Sequence, residues 1–165
     1  MESWEQTLAD LASGRGAALK RHAFLLCGNE AQADDLVQEA LVRAFTRPPR
    51  VLRPGAAEAY VRAIMVNLFI DGARRHSRWS RVAPLLRPAN ATPDPADQIS
   101  DRDAMLTALR SLSPRQRACV VLRYYEDLPV AEVASVLSVS EGAVKRYLSE
   151  AMSQVALRLS SAGSA

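Results

Sequence analysis

Four of the nine prolines, Pro84, Pro88, Pro93 and Pro95, fall within twelve residues, in a stretch with no apolar period. Proline fixes φ and removes a backbone donor, so neither a helix nor a strand runs through such a segment. The segment is read as a flexible linker, residues 84–100, between an N-terminal part, residues 1–83, and a C-terminal part, residues 101–165. Each part is small but within reach of an independent helical fold, and no internal repeat relates them.

Hydrophobic residues make up 48% and charged residues 24%, which is ordinary globular composition and does not suggest a disordered or collagen-like chain. Seven glycines and 5% aromatic residues favour helices over sheets. The chain has no apolar run long enough to span a membrane, and acids and arginines interrupt the first thirty residues where a signal peptide needs an apolar stretch. The expectation is a cytoplasmic protein without a membrane segment. Cys27 and Cys119 lie far apart and form no CxxC, so both are read as core residues.

Periodicity makes the chain all-α. Ala33, Leu36, Val37, Ala40, Leu41, Ala44 and Phe45 mark one helical face, with Asp34, Asp35, Gln38 and Glu39 opposite it. Val61, Ile64, Met65, Leu68 and Phe69 mark a second helix, which continues into Asp71, Arg74, Arg75, His76, Arg78, Trp79 and Arg81. A helix nearer the N-terminus, from about Trp4 to Cys27, is less regular, and Gly14 and Gly16 are expected to weaken it or break it in two. Past the linker, Met105, Leu106, Leu109 and Leu112 mark a helix, and Ser113-Pro114-Arg115-Gln116 reads as a capping box opening the next. Pro129 opens a short helix through Leu137, Ser138-Val139-Ser140 makes a turn, and Ser140 caps a last helix from Glu141.

Net charge is only +3, but between Arg43 and Arg87 ten arginines face two acids, so this stretch carries +8 and the rest −5. One segment is therefore suited to a polyanion. Nineteen of the twenty-one basic residues are arginine, which prefers planar phosphate and base contacts, although a GC-rich genome produces the same bias. Arginines interleaved with Trp79 and His76 suit unpaired nucleic acid, because stacking contributes roughly 1–3 kcal/mol per base. A solvated basic face is the plainer reading. The final two short helices around a turn are a helix-turn-helix, whose second helix would present Glu141, Gly142, Lys145, Arg146 and Ser149 to the major groove. A helical hairpin used only for protein contact has the same pattern.

The acids Asp34, Asp35 and Glu39 are not placed with a His or further acid to complete a metal sphere, and with Gln38 they better suit a basic protein partner. Neither His22 nor His76 has an evident Ser, Cys or carboxylate partner, and no glycine-rich phosphate loop is present. No enzyme activity, cofactor, metal or small-molecule substrate is expected.

Ala33-Asp34-Asp35-Leu36-Val37-Gln38-Glu39-Ala40, then Tyr60-Val61-Arg62 through Val66-Asn67-Leu68-Phe69-Ile70-Asp71 and Arg74-Arg75, then Ser113-Pro114-Arg115-Gln116-Arg117 and the helix-turn-helix occur in that order. This order resembles the extracytoplasmic-function, or group IV, sigma factors of RNA polymerase, in their small actinobacterial two-domain type. The resemblance implies sigma region 2 before the linker and region 4 after it. It implies that Asp34, Asp35, Leu36, Gln38, Glu39 and Arg43 dock on the β′ clamp helices of core RNA polymerase. Arg62, Asn67, Asp71, Arg74, Arg75, Arg78 and Trp79 would melt and read the −10 promoter element. Arg115, Ser140, Glu141, Gly142, Ala143, Lys145, Arg146 and Ser149 would read the −35 element, with region 4 seated on the β flap. The linker would thread the active-site cleft, and an anti-sigma factor is a further implied partner.

Four positions depart from the pattern that the resemblance implies. Ala63 replaces a usual arginine, Ser138 replaces a common turn glycine, and Glu150 and Met152 stand where relatives carry arginines. A stand-alone helix-turn-helix regulator and a metal-dependent nucleic-acid enzyme using Asp34, Asp35 and Glu39 are the other readings. The first leaves the acidic helix and the basic tail idle.

Overall fold

The computed structural model describes residues 3–51, 53, 55–82 and 101–163, so the linker 84–100 lies outside the described residues. Among the described residues, three helices precede the linker: α1 (Trp4–Cys27), α2 (Glu30–Thr46) and α3 (Ala57–Val82). After it come α4 (Asp101–Ser111), α5 (Pro114–Val120) continued by a π-helical turn (Val121–Tyr125), α6 (Val130–Leu137) and α7 (Glu141–Gly163).

Helix α1 is unbroken, contrary to the expectation at Gly14 and Gly16. Two glycines cost about 1 kcal/mol each in a helix interior, but Leu8, Leu11, Leu19, Ala23 and Leu26 bury one face of α1, and such packing supplies most helical stability in proteins. Ser3 caps its start by accepting from the Gln6 amide. Gly28 ends it at φ 70°, donating its amide to the Phe24 carbonyl at 2.7 Å. A Cβ on Gly28 would stand 2.5 Å from Arg110 Nε, so a side chain here is opposed by both backbone conformation and space.

Trp4 ties the N-terminal helices together. Its indole donates to the Ala44 carbonyl at the end of α2 at 2.7 Å, and its ring meets Tyr60 of α3 edge-on at 5.8 Å. Tyr60 in turn donates to the Arg47 carbonyl at 2.5 Å, which fixes where the chain leaves α2 and enters α3.

The capping box has both halves: Ser113 Oγ accepts from the Gln116 amide and the Gln116 side chain accepts from the Ser113 amide. Gln116 also donates to Glu150 at 3.0 Å. Ser140 caps α7 by accepting from the Ala143 amide at 3.0 Å. Between α6 and α7, Val133 and Ala134 pack with Val144 and Leu148 in the core, which sets the helix-turn-helix angle.

Ser138, the turn residue between α6 and α7, sits at φ 54°. A left-handed backbone costs a non-glycine residue roughly 1–2 kcal/mol, partly offset by the extra unfolded-state freedom of glycine. Ser138→Gly is expected to raise unfolding free energy by about 1 kcal/mol in chemical denaturation. An unchanged midpoint would mean that the serine is not strained.

The two halves share a core. Leu19, Ala23, Leu26, Met65 and Val66 from the N-terminal half join Cys119, Leu122 and Val133 from the C-terminal half in one buried cluster. Packing on both sides explains why α3 buries more than the stripe through Val61, Met65 and Leu68. Val66 and Ile70 are buried as well, and Ile70 lies beside Pro114, Arg115 and Tyr147. Periodicity and linker composition imply two parts, each able to fold alone, and carry no sign of this contact.

Candidate nucleic-acid interface

Side chains at i, i+3 and i+4 share a helix face, so α3 brings Asn67, Asp71, Arg74, Arg75 and Arg78 onto one stripe with Trp79 beside its end. All six are exposed, and Trp79 keeps 55% of its surface open. Twelve residues of helix separate Asn67 from Trp79, which is about 18 Å. Asn67 and Asp71 border a groove of about 320 Å³ whose other walls include Arg43, Arg47, Tyr60 and Ala63. An open groove with a rigid tyrosine, an amide and two guanidinium groups has the chemistry to hold a base and its phosphates.

Arg62 is differently placed. Its guanidinium bridges Glu58 at 2.5 Å and Glu126, which reaches it from the C-terminal half. Glu126 also accepts from His22 Nδ1 at 2.8 Å, and the His22 side chain is fully buried while that of Glu126 is 5% exposed. The expectation that His22 lacks a carboxylate partner is therefore corrected. Glu58 extends the network to Arg15 at 3.0 Å. Burial alone would raise the Glu126 carboxyl, but the hydrogen bond and charge of His22, with Arg62 and Arg15, outweigh it and hold the carboxyl below its ordinary value. A depressed carboxyl favours the folded state above its unfolded-state pKa, and that contribution is lost as pH falls through the folded value.

On α2, Asp34, Asp35, Gln38 and Glu39 are exposed. Asp34 pairs with Lys20 at 3.3 Å and Glu39 with Arg43 at 3.5 Å, both on the surface. Leu36 is buried, so it anchors this face from beneath. Behind the acids a groove of about 460 Å³ runs between α2 and α3, lined by Asp35, Glu39, Phe69, His76 and Arg117 among others.

On α7, Glu141, Gly142, Lys145, Arg146 and Ser149 are exposed at the outer face of the helix-turn-helix, and Ala143 is half-buried. Arg146 lies over the Tyr147 ring at 5.2 Å. Arg115 is half-buried and donates to Tyr147 Oη at 3.4 Å, a bond that lowers the tyrosine pKa. Glu150 is engaged within the protein, where it accepts from Gln116 and stands 4.0 Å from Arg146.

Sequence reasoning gives no structural role to Glu126, Arg117 or Arg110. Arg117 donates to the Leu26 carbonyl at 2.6 Å and to that of Arg110 at 2.9 Å, and lies over Phe69 at 5.5 Å. Arg110 donates to the Gly28 carbonyl. Both arginines thus meet carbonyls at the C-terminal end of α1, where the helix dipole favours cations. Partners so far apart in sequence leave no periodic signal.

Cys119 is buried and Cys27 half-buried, and burial pushes both thiols up to about 11, so neither is a thiolate nucleophile at neutral pH. Among the described residues, no three His, Cys, Asp or Glu side chains gather as metal ligands. Nor is any helix among them long and apolar enough to cross a membrane.

The fold and these surfaces define an all-helical protein that exposes Arg74, Arg75 and Arg78 on α3 and Lys145 and Arg146 on α7. Residues 14–79 match Sigma-70 region 2, and residues 102–155 match Sigma-70, region 4. The ECF RNA polymerase sigma factor SigL of Mycobacterium tuberculosis is 35% identical over 154 residues, covering 89% of this chain and 85% of the relative. The RNA polymerase sigma-E factor of Streptomyces avermitilis is 33% identical over 147 residues, covering 89% and 82%. The solved structure of the sigma factor RpoE from Bartonella quintana, in complex with the anti-sigma factor NepR, matches with a TM-score of 0.68 at 23% identity, over 87% of this chain and 91% of that one. The chain belongs to the ECF family of RNA polymerase sigma factors. It is an alternative sigma factor acting in transcription initiation, and the match to region 2 disfavours a stand-alone helix-turn-helix regulator.

Proposed function

We propose that the exposed face of α2, through Asp34, Asp35, Gln38 and Glu39 over the buried Leu36, docks on the β′ clamp helices of core polymerase, with Arg43 at its edge. The stripe from Asn67 through Asp71, Arg74, Arg75 and Arg78 to Trp79 then holds the separated −10 strand. The α7 residues Glu141, Gly142, Lys145, Arg146 and Ser149, with Ser140, Ala143 and Arg115 at its base, meet the −35 element while region 4 sits on the β flap. Arg62 supports α3 from within its ion pairs. The protein itself performs no catalytic step and works in the cytoplasm, with an anti-sigma protein as a further partner. The observation that carries this reading is the single long helix α3, whose buried apolar start fixes an exposed basic and aromatic end.

The mechanism is binding energy applied to melting. Unstacking costs a few kcal/mol per step, and a surface that holds only separated strands shifts the equilibrium by its differential affinity. Regions 2 and 4 divide the work, phosphate contacts setting register and base contacts setting sequence.

In a pull-down with bacterial core polymerase, the wild-type chain is expected to bind stoichiometrically. Asp35→Arg with Glu39→Arg is expected to lower that binding at least about tenfold, since like charges across an interface cost several kcal/mol. Undiminished binding by this variant would remove α2 as the docking face.

A further inference from the structure

We infer that the apolar groove between α1, α4 and the π-helical turn binds a small amphiphile: one short apolar tail with a single anionic head, of which a free medium-chain alkanoate is the simplest. Arg21, Phe24, Leu25, Met105, Leu106 and Tyr125 line it, and none of them belongs to the surfaces proposed for polymerase or promoter DNA. The site is therefore separate from the sigma-factor function.

The groove holds about 320 Å³, at the lower end of the range for small-molecule sites, which are mostly apolar with a few polar groups that fix orientation. Phe24, Leu25, Met105 and Leu106 make its walls hydrocarbon and ring. Leu25 also packs against the buried cluster of Leu109, Leu112 and Ala151, which holds that wall in place. Met105 is 44% exposed at the rim, where a flexible thioether adapts to what enters. Tyr125 stands there because the backbone widens. The turn Val121–Tyr125 is π-helical, and it sends Val121 and Leu122 into the core while leaving Tyr124 and Tyr125 exposed. Such turns are rare and recur at functional sites.

Charge selects the head group. Among the described residues the lining holds one cation, Arg21, and no acid. Two other bases of α1 are already paired, Arg15 with Glu58 and Lys20 with Asp34, whereas Arg21 enters no ion pair with a described residue. An exposed guanidinium beside a hydrocarbon groove attracts a carboxylate, sulfate or phosphate head whose tail lies inside. The Tyr125 hydroxyl adds a second donor to the lining. A docked helix fits less well, since its anchors at i, i+3, i+4 and i+7 need a longer groove. Because α1 precedes the linker while α4 and Tyr125 follow it, a bound tail touches both regions and adds to the stability of the folded chain.

Isothermal titration of the full chain with hexanoate, octanoate, decanoate and tetradecanoate, each below its micellar concentration, tests the site. Affinity is expected to rise by up to about fourfold per methylene, the fold-change for burying one such group, and to level off once the tail outgrows the groove. Octanol should bind about fivefold more weakly than octanoate, the upper range for one ion pair at an exposed site. Arg21→Gln should bring octanoate down to the octanol value and leave octanol unchanged. Met105→Glu sets a carboxylate in an exposed wall, and it should lower octanoate affinity at least about tenfold with helical circular dichroism retained. Decanoate at a hundredfold excess over its Kd should raise the wild-type Tm by at least about 5 °C.

Affinity that keeps rising through tetradecanoate and ignores both substitutions would be unspecific partition onto apolar surface, and would overturn the site. Absence of binding at millimolar alkanoate would do the same. Capture by anionic phospholipid vesicles without alkanoate binding would also overturn it, making the patch a membrane contact.

Discussion

Asn67→Ala combined with Trp79→Ala is expected to shift the closed-to-open promoter equilibrium of the holoenzyme at least about 30-fold towards closed, leaving core-polymerase binding unchanged. Removing one stacked aromatic forfeits roughly 1–3 kcal/mol per base, and losing a base contact a similar amount. A combined loss near the low end, about 2 kcal/mol, already corresponds to about 30-fold. Both residues are exposed, and neither belongs to the α2 face, so the fold and polymerase docking should survive. The holoenzyme is the right place to measure, because Asn67→Ala also removes the bond to Val136 and so loosens the free chain. Permanganate footprinting on a promoter selected from genomic DNA reads the unpaired thymines directly. An unchanged footprint would place the capture of the separated strand elsewhere.

Trp4→Ala is expected to be the most damaging single change to stability. Large aromatic truncations in a core cost about 3–5 kcal/mol. Trp4 is 8% exposed and also satisfies the Ala44 carbonyl, so the loss adds an acceptor without its donor to the cavity. At this chain length each kcal/mol shifts Tm by roughly 2–4 °C, so a fall of about 10 °C is expected in calorimetry. The functional effect follows from position. Trp4 braces Tyr60, and Tyr60 lines the groove beside Asn67, so −10 binding should weaken along with Tm. A Tm within a degree or two of wild type would show that the N-terminal turn of α1 is dispensable.

Much of the architecture is written in local patterns. The apolar period of α2 and α3, the capping box at Ser113 and the Ser140 cap all depend on residues within a few positions of one another, and each forms as its spacing dictates. The basic and aromatic end of α3 is equally local, because a helix carries exposed side chains outward whatever surrounds it. Helix α1 is only partly legible. Its glycines are a local signal, whereas the packing against α2 that overrides them is not.

The helices, the order of the three motifs, the helix-turn-helix and with them the family are all readable from the chain before it is folded. Folding adds what no linear reading contains: a core shared by the two regions, Arg62 closed into ion pairs and Asn67 donating to Val136. The difference is one of range. Helical propensity and capping act within about one turn and leave a period in the chain. The bond between His22 and Glu126 joins residues 104 positions apart, and that between Asn67 and Val136 residues 69 apart, so neither leaves any local trace.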